Sequence, residues 1–94
     1  MKEAWRKALR FAALPGAARV HFQRRTFVEN GTPTVNFALR SEMKSGEVIG
    51  DDRDYDLLKA AMTPLEKLAE HYDHEELSVE LDLESDKLEA PENG

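Results

Sequence analysis

Ninety-four residues with no cysteine, one tryptophan and a formal charge of −6 (13 basic against 19 acidic side chains) fit one domain with one modest core. The lack of cysteine excludes disulfides, iron–sulfur clusters, thiolate zinc sites and thiol catalysis, and fits a reducing cytoplasm. No apolar run approaches the ~20 residues of a bilayer span, and the start, with Lys2 and Arg6 but no apolar stretch, does not read as a secretory signal.

Residues 3–14 read as a first helix. Ala4, Trp5, Ala8, Leu9 and Ala12 fall on one side at helical spacing, with Lys2, Arg6, Lys7 and Arg10 opposite. Leu14-Pro15-Gly16 stops it, because a residue before proline avoids the α region and glycine permits a turn. Such an alanine-rich basic helix fits packing on a sheet better than lying on a membrane.

Residues 18–28 and 34–40 read as a hairpin. Val20, Phe22, Thr26 and Val28 alternate with His21, Gln23, Arg25 and Phe27, and Val35, Phe37 and Leu39 alternate with Asn36, Ala38 and Arg40. Asn30-Gly31 supplies the turn, since both residues tolerate positive φ. Pro33 lacks a donor and belongs at the start of the second strand. Strict alternation puts Arg24 on the apolar face, which predicts a bulge beside Arg24-Arg25 as the cheapest resolution. Ser45-Gly46 can turn the chain into a short third strand around Glu47-Val48-Ile49.

The main helix is predicted over 53–73. Leu58, Met62, Leu65, Ala69 and Tyr72 make one stripe, widened by Tyr55, Leu57, Ala61 and Leu68. Asp51, Asp52 and Asp54 crowd its start, where carboxylates cap free amides and meet the positive end of the dipole. Thr63-Pro64-Leu65-Glu66 matches a capping box, so a kink or break is predicted at Met62–Thr63. Residues 77–83 form the clearest strand, with Leu77, Val79, Leu81 and Leu83 alternating with Ser78, Glu80, Asp82 and Glu84. Ser85-Asp86 turns the chain, Lys87-Leu88 adds a little more strand, and 89–94 reads as a disordered acidic tail. The order α-β-β-(β)-α-β predicts a small α+β two-layer sandwich over 1–88, with two helices on one face of a mostly antiparallel sheet.

Charge is divided between the halves. Residues 1–40 carry eight basic and two acidic side chains, a net of +6, and residues 41–94 carry five and seventeen, a net of −12. Packing of the halves against each other would neutralise part of this. The acidic row Glu80, Asp82 and Glu84 stands out, with carboxylates about 7 Å apart on one strand face at a rise of ~3.3 Å per residue. Polar or cationic side chains from neighbouring strands (His21, Gln23, Arg25 and Arg40 are candidates) would have to answer it, or the row is an exposed strip suited to a basic partner. Together with Asp51, Asp52, Asp54 and Asp56 it forms the candidate partner-binding set. Arg19, Arg24 and Arg25, near His21 and Phe27, form a secondary basic patch, though a pI near 5.0 argues against nucleic acid as the partner.

Catalytic and metal signals are thin. His71 and His74, three apart near the end of the main helix, are a weak metal candidate with Glu70 or Glu75, but the negative helix end explains a histidine there without a metal. The aspartates at 51–56 do not match a calcium loop. No Gly-x-Ser-x-Gly, phosphate-binding glycine loop or dinucleotide fingerprint is present. The expectation is a non-enzyme without a cofactor.

The pattern over residues 53–89, a long helix followed by Leu77-Ser78-Val79-Glu80-Leu81-Asp82-Leu83 and Ser85-Asp86-Lys87-Leu88-Glu89, resembles small bacterial immunity proteins of the YezG-like type. The resemblance implies a cytoplasmic protein that neutralises a toxin by binding it. The reading is therefore an acidic inhibitor or immunity-type protein that docks on a basic target, such as a nuclease or a nucleic-acid-binding protein. The alternative is a small homodimeric structural or adaptor subunit, joined through a sheet edge or the Trp5 helix.

Overall fold

A computed structural model describes residues 2–50, 56–72 and 76–89. Strand β1 (Ala17–Glu29) turns through Asn30 and Gly31, both at positive φ (52° and 80°), into β2 (Thr32–Met43). Two successive positive φ angles give a two-residue turn whose twist matches the strands, and Glu29 pairs directly with Thr32. β3 (Val48–Gly50) adds to β2, β4 (Leu77–Asp82) adds to the other side of β1, and β5 (Lys87–Glu89) lies outside β4. The order is β3-β2-β1-β4-β5 and each neighbouring pair is antiparallel. Both edge strands span only three residues, which limits the unpaired backbone that the sheet's edges present.

Helices α1 (Lys2–Ala12) and α2 (Asp56–Ala69) cover one face, giving an α+β two-layer fold. Trp5, Leu9 and Ala12 from α1 meet Leu58, Ala61, Met62, Leu65 and Ala69 from α2 over Val20, Phe22, Leu39, Val79 and Leu81 of the sheet. Burying Trp5 and Leu9, both fully inaccessible, contributes about 2–3 kcal/mol each, more than the intrinsic propensity of an 11-residue helix supplies. Trp5 Nε1 donates to Tyr72 Oη at 3.0 Å, so the buried indole N–H finds its acceptor within the aromatic cluster.

Four expectations are corrected. The bulge lies between Ala17 and Arg19, at the strand's start, and the β1–β2 ladder runs unbroken past Arg24. Arg24 instead stays on the apolar face and reaches α2. α2 is continuous through Pro64, with no break at Met62–Thr63. Pro64 is exposed and so is Ala60, whose carbonyl loses its helical donor, so water can replace that bond on the open side. Leu57, expected to widen the buried stripe, is 72% exposed. Glu89, expected to begin the tail, belongs to β5; residues 90–94 lie outside the described residues, as does Tyr55.

Candidate protein-binding face

The side chains pointing away from the helices come from alternate positions of four strands. Register places Arg19 between Glu42 and Asp82, and His21 between Arg40 and Glu80. Arg19 is shared by three carboxylates, with Glu42 at 3.6 Å, Asp82 at 3.8 Å and Glu80 at 4.0 Å. One cation among three anions leaves a local excess of two negative charges. Glu89 lies directly opposite Glu80, and Lys87 answers it at 3.6 Å. Arg25 and Arg40, nearer the hairpin, have no ion-pair partner among the described residues. The face is thus polarised along β1, negative where β4 meets β5 and positive toward the hairpin.

The acidic row is shorter than expected. β4 ends at Asp82, because Asp82 Oδ1 accepts from the amides of Glu84 (3.1 Å) and Ser85 (3.3 Å) and turns the chain. The Ser85 amide in particular holds the Asp82 carboxyl below its usual 3.8, with Arg19 adding in the same direction. Glu84 therefore sits in the turn, exposed, and does not continue the row. Arg19, expected to belong to a basic patch, is the cation that answers the row. The candidates Gln23, Arg25 and Arg40 make no such ion pair among the described residues, and His21 is directed to Ser78.

The basic patch does not form either. Arg19 and Arg25 share the open face, whereas Arg24 is 9% exposed beneath α2, where Nη1 donates to Ala69 O (2.8 Å) and Nη2 to Tyr72 O (3.2 Å). It caps the C-terminus of that helix, where carbonyls lack donors and a cation meets the negative dipole end. Of the aspartate cluster, Asp56 is exposed in the first turn of α2, and Asp51, Asp52 and Asp54 lie outside the described residues. His74 also lies outside them, and His71 is exposed after α2. Among the described residues no three His, Cys, Asp or Glu side chains come together to hold a metal.

A pair that sequence alone does not suggest is His21 and Ser78, with Nε2 and Oγ 2.7 Å apart. Burial, the largest influence, lowers the His21 pKa; Glu80 opposes this, while Arg40 and Arg25 add to it. A neutral imidazole beside a hydroxyl resembles a base with its nucleophile. The adjoining depression of ≈ 150 Å³ is lined by Arg19, His21, Arg40, Glu42, Val48 and Glu80 and not by Ser78. No carboxylate hydrogen-bonds the ring among the described residues, so the pair reads as a cross-strand contact.

The opposite surface holds a second feature. α1 and α2 run antiparallel, and on the side turned from the sheet they enclose a groove of ≈ 470 Å³ lined by Ala4, Lys7, Ala8, Phe11, Pro64, Lys67, Leu68 and His71. Phe11 is 74% exposed at one end of it. No family model, curated protein or solved structure matches the chain. No helix among the described residues is long and apolar enough to cross a membrane.

Proposed function

We propose that the protein is a non-catalytic, cytoplasmic protein-binding module, an acidic inhibitor or immunity-type protein that docks on a basic surface of its target. A nuclease or a nucleic-acid-binding protein is the target class that such a surface suits. The observation that carries this reading is the sharing of Arg19 by Glu42, Glu80 and Asp82, which keeps the β4 side of the sheet's open face net negative. Glu84 and Glu89 extend the negative charge into the turn and along the edge, whereas Asp56, in the first turn of α2, lies in the helix layer and apart from this face. A potential of one sign at one end of a face speeds encounter with an oppositely charged partner and fixes its orientation. Affinity capture from a lysate of the source organism at low and at high salt tests the reading. It expects one basic protein, retained at low salt and released at high salt.

The alternative, a homodimeric structural or adaptor subunit, is favoured by the far half of the hairpin. β4 pairs with β1 only as far as Arg24, and β3 pairs with β2 only as far as Arg40. Beyond them Val28 and Val35 are 70% and 53% exposed, so an apolar part of the sheet extends past the helices. A solution mass that doubles with concentration, with nothing captured from lysate, selects this reading.

A further inference from the structure

We propose that the groove between α1 and α2 binds an acidic amphipathic helix of a partner protein, on the opposite side of the molecule from the charged sheet face. The groove exists because the facing positions of α1 are alanines. Ala4 and Ala8 leave a furrow that larger side chains would fill, and Pro64 and Leu68 complete an apolar floor. Phe11 stands at one end as an exposed wall. Water on such a floor is displaced favourably by apolar side chains.

The form of the occupant follows from the backbone. Helix surfaces offer almost no free amide or carbonyl groups, so an extended segment laid here would leave its own backbone polar groups without partners. A helix satisfies them internally and presents a ridge at i, i+3, i+4 and i+7. From Ala4 to Phe11 the furrow runs about 10 Å, at ~1.5 Å per residue, which is two turns of contact.

The charge of the occupant follows from the rims. Lys7 stands on the α1 rim and Lys67 on the α2 rim, and neither has an ion pair among the described residues, whereas Arg6 pairs with Glu3 and Arg10 with Asp86. Two unanswered cations flanking an apolar floor suit carboxylates on both sides of an apolar stripe. A second copy seated groove to groove is the poorer fit, because it would bring Lys7 and Lys67 toward the same two lysines. An anionic membrane is poorer too, since the chain is net negative.

Fluorescence anisotropy on the full chain tests this with a synthetic library of helical peptides about 14 residues long, apolar at i, i+3, i+4 and i+7 and flanked by Glu, beside the same library flanked by Lys. Saturable binding of acidic members is expected, weakened by salt and lowered about tenfold by Lys7→Glu with Lys67→Glu, a pair that should transfer preference to the Lys-flanked library. Phe11→Ser should also weaken binding. All three positions lie on the surface, so circular dichroism and melting should be unchanged. Failure of every acidic member to bind, equal binding of both libraries, or indifference to the lysine reversals overturns the proposal. So does a dimer in solution that Phe11→Ser dissolves, or flotation of the chain with phosphatidylglycerol vesicles when no peptide binds.

Discussion

Arg24 Nη1 lies 2.8 Å from the carbonyl oxygen of Ala69, so a side chain in the central strand closes the end of a helix 45 residues further along the chain. The second nitrogen, on Tyr72 O at 3.2 Å, ties down the turn that follows. Both hydrogen bonds are buried. Arg24→Leu should therefore cost about 2–6 kcal/mol, since two buried acceptors at ~1–3 kcal/mol each lose their donor. Arg24→Lys should recover only part, having a point charge in place of a planar fork. Urea denaturation of the two variants checks this; a midpoint equal to wild type for Arg24→Leu would contradict the cap.

This contact also marks where sequence reasoning runs out. Alternation correctly assigned Arg24 to the inner face, as it assigned Leu77, Val79 and Leu81, because a period of two survives whatever the strand pairs with. What balances Arg24 lies far along the chain, so a local bulge was the only remedy in view. The same limit hid the role of Arg19. Its three carboxylates arrive from two strands, and only the β1–β4 register, set by non-local packing, brings Asp82 and Glu80 to it. Glu84 left the acidic row for a more local reason, the Asp82 side chain turning the chain one residue earlier than the alternation of leucines suggests. Leu57 shows the ambiguity of a helix that is apolar on more than one side: spacing alone does not say which leucine faces the core. The Asn30-Gly31 turn and the buried row Trp5, Leu9 and Ala12 were legible because each depends on residues close in sequence.

Trp5 and Tyr72 offer a second test. Removing the hydroxyl in Tyr72→Phe leaves the buried indole N–H without its acceptor at nearly constant volume. A loss of about 1–2 kcal/mol is expected, together with a change in Trp5 fluorescence, the chain having no other tryptophan to obscure it. Identical unfolding curves and spectra would show that the bond contributes nothing.

Ser41 runs in the opposite direction. It is fully buried between Val20 and Ile49, and its Oγ has no hydrogen-bond partner among the described residues. Ser41→Ala should stabilise the fold by about 1 kcal/mol, because the hydroxyl's desolvation is no longer uncompensated. Calorimetry showing a lower melting temperature for this variant would refute the assignment.

His21 makes stability depend on pH. Its folded pKa lies below 6.5, chiefly through burial, so between that value and 6.5 the unfolded chain binds more protons than the folded one. Stability from this group is present above about 6.5 and is lost as pH falls through 6.5 toward the folded value. Melting temperature should fall from pH about 7.5 to 5.5 more steeply for wild type than for His21→Gln. Parallel curves would remove His21 as the source.

The most direct test of the docking reading is the association rate of the captured partner with wild type and with Glu80→Lys plus Glu84→Lys, measured across ionic strength. Asp82 is left in place because it holds the turn. Association at least about tenfold slower for the variant, with a flatter dependence on salt and little change in dissociation, is the predicted result. Equal association rates with the same salt dependence would contradict it, and with it the acidic side of the sheet as the surface that meets the target.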